Sequence, residues 1–396
     1  MASAGRKLRE ITPTVTIRAR PEVVHDNSIV INCGSIIGRL KEKMQALMAE
    51  NTENIQEESS HTDKQMDLQD QVCVVVKEVA ATSDCSDNHN IAIGYEDGCR
   101  LVYECFIYAG GTSPTSFTAR RGILQTTLQC LSKLSRVAAN RAILSHLGIC
   151  KAVSMVLNSS VRDGMEEDVS IGCLQVISNM ANRSDDRCQF SLLNVASALT
   201  STVEKAISEL CTQSSYEMAS CGFRAIGNLC SYNAENRRLL GNPSTIRSII
   251  VCLEKCTDTL RNSPDDMVLY SSMRMSVECL FAMDQLVYNN TNAQNLLDNH
   301  NVCSVIVTFV SSVHAYIPNI HDTDDARSYL GDILKQSCVT VHTLGSKIRS
   351  YRVILQDLGT LNVLRSCLSL SYRCLGKDFY QAIEVDLAEA LRAISP

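Results

Sequence analysis

The stretch Gly222 to Leu253, GFRAIGNLCSYNAENRRLLGNPSTIRSIIVCL, reads as a helix closing on Asn228 and Leu229, then a polar turn, an Asn at 236, a short apolar helix, a small residue and a second apolar helix. The same phrase recurs along the chain. Aligned on position 236, its copies fall at Asn90, Asn140, Asp186, Asn236, Asn292 and, most loosely, Tyr351, at intervals of 50, 46, 50, 56 and 59 residues. Five of the six are Asn or Asp, side chains suited to an N-cap because their oxygen accepts from a free backbone N–H in the first turn. Eight residues further on stand Gly98, Gly148, Asn194, Ser244, His300 and Gly359. Gly and Asn there suit the left-handed conformation that closes a helix.

The segments around these anchors carry helical periodicity. Leu124, Leu128, Leu131 and Leu134 share a face before one anchor, as do Val302, Val305, Ile306 and Phe309 after another. Each unit therefore predicts three helices, long, short and medium, with an apolar face too large to leave in water and too small to form a core alone. Such units are stable only when stacked.

At this point the resemblance is specific. GFRAIGNLCSYNAENRRLL and CLQVISNMANRSDDR are similar to the armadillo repeat, a helical triplet with an Asn near the end of its long helix. The resemblance covers residues 70–396, strongest in the third and fourth units, and a HEAT array is its main rival. It implies an all-α, right-handed α-solenoid of about six three-helix repeats: 70–115, 116–168, 169–215, 216–266, 267–324 and 325–378, closed by a capping helix over 379–396. Intervals above the family's length predict long loops at 110–120, 257–266 and 316–325, which hold turn-forming residues. Upstream, residues 1–34 read as an extended basic arm, 35–50 as an amphipathic helix and 51–69 as a polar linker.

Composition agrees with helices. Of the 396 residues 45% are hydrophobic, only 5% are aromatic, and there are 18 Gly and 7 Pro. The net charge of −6 and the scattered Lys and Arg leave no basic stripe for nucleic acid, so other proteins are the expected partners. No apolar run reaches the length of a membrane span, and Met1 to Arg20 is polar and basic, which points to a cytoplasmic protein. The 19 Cys include no CxxC and lie mostly on apolar helical faces, as in Cys130, Cys173, Cys221, Cys230 and Cys279. They read as buried free thiols.

Motifs of catalysis are missing: GxxxxGK[ST], HExxH, GxSxG and GxGxxG do not occur in a usable context. His146 with Cys150, and Cys338 with His342, are i,i+4 pairs that each offer two ligands where structural zinc takes four. No enzyme activity, metal or cofactor is expected.

What remains is the surface of the long helices. One position repeated in each forms a ladder about 10 Å apart: Glu78, Lys133, Asn179, Asn228, Gln285 and Thr343. One turn earlier stand Val74, Gln129, Gln175, Arg224, Phe281 and Val339. The resemblance implies that the ladder Asn, here Asn179 and Asn228, holds an extended peptide backbone by a bidentate amide contact. The residues themselves equally allow a structural role capping neighbouring helix ends. Nuclear-localisation-signal receptors of the family place Trp at the earlier position, and this chain has none. Lys133, Arg136, Arg183 and Arg224 lean the groove basic and favour an acidic or mixed partner segment. The expected function is a protein-binding scaffold or adaptor with its site at Lys133, Asn179, Asn228, Gln285, Gln129, Gln175, Arg224 and Phe281. The alternatives are a structural subunit of a cytoskeletal or flagellar assembly and an armadillo-type regulator of a small GTPase.

Overall fold

The computed structural model describes residues 27–53, 62–83, 85–95, 97–110, 117–163, 167–263, 265–317, 324–375 and 377–394. Among these residues the chain is helical throughout, without a strand. The helices are α1 (Asn27–Glu53), α2 (Thr62–Ser83), α3 (Asp87–Tyr95), α4 (Gly98–Gly110), α5 (Phe117–Leu134), α6 (Ala138–Leu147), α7 (Ile149–Asp163), α8 (Glu167–Met180), α9 (Ser184–Leu192) and α10 (Val195–Ser208). They continue as α11 (Gln213–Cys230), α12 (Ala234–Leu240), α13 (Pro243–Asn262), α14 (Asp266–Val287), α15 (Thr291–Asn299), α16 (Val302–Tyr316), α17 (Asp324–Lys347), α18 (Arg349–Asp357), α19 (Thr360–Leu375) and α20 (Lys377–Ile394).

Packing sorts them into three rows. The long helices α2, α5, α8, α11, α14, α17 and α20 each lie against the next, and the medium helices α4, α7, α10, α13, α16 and α19 do the same behind them. Between the two layers runs one continuous core, from Leu40 and Val76 through Leu128, Leu174, Ile226 and Leu280 to Leu344 and Ile394. The short helices form the third row along one edge. The fold is an all-α solenoid.

The ends show where the repeat begins. Helix α1 packs on α2, α3 and α4 in the way that α4 packs on α5, α6 and α7. It occupies a medium helix's place, burying Cys33, Ile37, Leu40, Met44 and Leu47. At the other end α20 packs on α17, α18 and α19 as each long helix packs on the preceding triplet. Counted as short, medium and long, α3 to α20 make six complete triplets led by the pair α1 and α2. Helix α20, most of which lies in the segment read as a cap over 379–396, thus takes the place of the long helix of the sixth triplet. Helix α1 starts at Asn27, inside the stretch read as an extended arm, and α2 starts at Thr62, inside the stretch read as a linker; residues 1–26 and 54–61 lie outside the described residues. Polarity of the sequence over 62–69 misled the reading, because a helix needs only one apolar face.

Long repeat intervals also have a different origin. Residues 257–262 are not loop but the last turns of α13, which is 20 residues long and buries Cys256, Thr257 and Leu260. The later long helices have 22 and 24 residues, against 14 in α8, so the extra length lies largely in the helices. Most of the loops predicted over 110–120 and 316–325 lie outside the described residues.

Helix ends correct the expected caps. The short helix α12 is capped by Asn233, whose Oδ1 accepts from Asn236 N at 2.9 Å. Asn290 caps α15 by accepting from Ala293 N at 3.3 Å. The N-cap positions of α6 and α9 are Val137 and Arg183, which offer no side-chain cap. The aligned Asn and Asp are the second to fourth residues of their helices. Left-handed residues between short and medium helices are Asp97, Gly148, Asn194, Asn301 and Gly359. Two of these sit beside the expected Gly98 and His300. At Ser244 the expectation fails, because Asn242 and Pro243 start α13 from an extended N-cap.

Candidate functional site

If the recurring Asn and Asp do not cap, they do something else, and their partners show what. Asn140 Nδ2 donates to Asn90 O at 2.8 Å, Asn236 Nδ2 to Arg187 O at 3.0 Å and Asn292 Nδ2 to Gly241 O at 2.9 Å. Ser145 donates to Asp186, and Tyr351 donates through its hydroxyl to Gln294 O at 2.8 Å. Every one of these bonds joins one triplet's short-helix segment to that of the triplet before it. Asn140, Asp186, Asn236 and Tyr351 are also at most 2% exposed. A buried amide can satisfy a neighbour's free carbonyl as well as its own donor, which explains the preference for Asn. The loose sixth copy, Tyr351, makes the same link with a phenol.

A second row of links crosses the long helices. Lys133 Nζ donates to Ala80 O at 3.3 Å. Asn179 Nδ2 donates to Ser132 O at 2.7 Å and to Ser135 Oγ at 3.1 Å, and Asn228 Nδ2 to both the carbonyl and the hydroxyl of Ser178 at 3.0 Å. Further along, Ser231 Oγ donates to Gln285 Oε1 at 3.0 Å, and Thr343 donates to Asp284. The predicted ladder therefore exists as a row, but its amide donors are engaged within the protein. A bidentate contact from Asn179 or Asn228 to a peptide would first have to break these bonds. Their Oδ1 atoms make no hydrogen bond among the described residues.

The position one turn earlier is more open. Gln129 is exposed, and Gln175 Nε2 donates to Glu217 Oε1 at 3.3 Å. Arg224 donates from Nε to Glu278 Oε1 at 2.8 Å, with Nη2 on the same oxygen. This pair raises the guanidinium pKa against the opposing effect of burial. Phe281 is half-buried over Gly227 of the preceding long helix, where an added Cβ would stand 2.3 Å from the ring.

Between these rows lies a cavity of about 60 Å³. Gln175, Ser178 and Asn179 of α8 line it together with Arg136, Arg224 and Arg274. It joins three of the predicted site residues, Gln175, Asn179 and Arg224, and leaves Lys133, Gln129, Asn228, Gln285 and Phe281 along the same layer. Arg274 was not predicted as a site residue. Its only signal was a charge between the buried Met273 and Met275, two turns before Phe281 on the same helix.

Among the described residues no group of three His, Cys, Asp or Glu side chains could hold a metal ion. Burial raises the thiols of Cys99 and Cys338 to about 12, and that of Cys221 to about 11, so they stay protonated. Burial likewise raises the carboxyl pKa of Asp186 and Asp284, whose hydroxyl partners bind the charged forms. No single described helix is long and apolar enough to cross a membrane.

Comparison with known proteins places the fold. No protein-family model matches the chain, and no curated protein matches it in sequence. Among solved structures it is similar to a chain of the crystal complex SYS-1/POP-1, with a TM-score of 0.60 and 10% identity. That match covers 91% of this chain and 63% of the other. An engineered protein matches over 78% of this chain and 97% of its own, with a TM-score of 0.48 and 10% identity. The fold is an armadillo-like helical solenoid.

Proposed function

We propose that this protein is a non-enzymatic scaffold that holds a segment of another protein along the groove of its long-helix layer. The observation that carries the reading is the arginine-lined cavity on that layer, which lies beside open polar positions such as Gln129 and Gln175. The half-buried Phe281 gives an apolar contact further along, and the basic lining suits an acidic or mixed segment. Asn179 and Asn228 serve it indirectly, by fixing the spacing of the helices. The neighbouring fold in a complex titled SYS-1/POP-1 is consistent with a solenoid that works through a protein partner. A cytoplasmic location fits this role.

The test is partner capture by paired variants. Val74, 56% exposed, and Gln129 lie on the long helices, whereas Met155, 61% exposed, lies on α7 of the medium layer. With Val74→Glu and Gln129→Glu combined, proteins captured by the wild type and identified by mass spectrometry are expected to be lost. With Met155→Glu they are expected to remain. Loss with Met155→Glu alone would move the interaction to the medium-helix face.

A further inference from the structure

Two of the three arginines at the cavity are uncommitted. Arg224 is paired with Glu278, but the side chains of Arg136 and Arg274 make no hydrogen bond or ion pair among the described residues. They reach it from different triplets, Arg136 from the turn after α5 and Arg274 from α14. The lining contains no carboxylate. Ser178, 2% exposed, accepts from Asn228 Nδ2 and gives its own hydroxyl proton to no acceptor among the described residues. The donors thus outnumber the acceptors around the cavity.

Resting on the groove reading above, we infer that this cavity is a binding site for the phosphate of a phosphorylated serine or threonine in the partner segment. A phosphoryl group carries about −1.5 to −2 charges at neutral pH and three acceptor oxygens, whereas a carboxylate carries one charge and two oxygens. Two unpaired guanidiniums match the first in charge, and their forked N–H groups suit its geometry. A cavity of about 60 Å³ has room for a few waters, hence for one tetrahedral group. The partner's phosphorylation would then control docking, because without it the two arginines and Ser178 remain without acceptors inside the interface.

The experiment uses the full chain and the captured partners. Phosphatase treatment of the partner fraction is expected to lower capture at least tenfold, and so is Arg136→Gln combined with Arg274→Gln. The lysine versions of both positions keep the charge and are expected to recover only part of the loss. A degenerate peptide library with a fixed phosphoserine is expected to bind at least tenfold more tightly than the same library with Ser or Glu. Each variant's urea midpoint is compared with that of the wild type to establish folding. Equal binding of the Glu and phosphoserine libraries would overturn the phosphate assignment. Capture that is lost in Val74→Glu with Gln129→Glu, yet indifferent to phosphatase and to both arginine variants, would overturn this inference and leave the groove reading standing. Capture indifferent to all of them would overturn both.

Discussion

The short-helix row and the long-helix layer both carry a residue repeated in every triplet, and the difference between them separates structure from function. Along the short helices the repeated side chain is mostly buried and reaches only the preceding triplet. On the long helices the repeated side chain is half-buried at every copy but the buried Thr343, yet Lys133, Asn179 and Asn228 also spend their donors on the preceding helix. Residues that differ from triplet to triplet, such as Arg136, Arg274 and Phe281, define the open surface. In a stacked array regular positions must serve every junction alike, so specificity falls to the irregular ones.

The largest effect is expected at the buried row. Asn236→Ala leaves Arg187 O and Leu229 O without their donor. It should lower the unfolding free energy by about 2–6 kcal/mol, since each of the two buried groups left unpaired costs about 1–3 kcal/mol. Urea denaturation measures this, and a change below half the lower figure would remove Asn236 from the clamp row. Gly227→Ala probes the long-helix junction. Its Cβ meets the Phe281 ring, and overpacking of this kind costs about 1–3 kcal/mol. Phe281→Ala in the same background should recover part of the loss; if it adds its full cost instead, the two residues do not clash.

A smaller effect depends on pH. Burial raises the pKa of Asp186, so the folded chain holds a proton at a pH where the unfolded chain has released it. Stability should therefore rise as pH falls from neutral through the folded-state value, and stop rising below the ordinary aspartate range. Urea midpoints at pH 7 and at pH 4, just above the ordinary aspartate value, should show this rise in the wild type and a smaller one in Asp186→Asn. An unchanged slope would assign the pH dependence to other groups, Asp284 first among them. Least of all should come from Glu235→Gln. Its pairing with Arg238 lies on the open surface of α12, and no resolvable shift in thermal midpoint is expected.

Much of the fold was legible because stacking imposes a period. The phrase from Gly222 to Leu253 located the triplets, and the apolar spacing located their faces. Its Asn was misread as a cap, since a cap and a clamp draw on the same side-chain chemistry and differ only in which backbone group stands opposite. Asn233, three residues earlier, was the cap. Neighbouring triplets supply the clamp's partner from about 50 residues away, and no local pattern reveals it. Helix α1 escaped notice as part of the array because its triplet is incomplete. The candidate site was half legible. Gln175, Asn179 and Arg224 follow from the period, but Arg274 belongs to no repeated position and emerges only when α14 lies beside α11.

One paired measurement tests the division of labour most directly: urea midpoint and partner capture, on Asn179→Ala with Asn228→Ala, and on Arg136→Gln with Arg274→Gln. The asparagine pair should lose about 1 kcal/mol of stability per site and, below its transition, capture partners like the wild type. The arginine pair should keep its midpoint and lose capture. Asparagine variants that stay as stable as the wild type but no longer bind would contradict the account, and would return the ladder to direct contact with the partner.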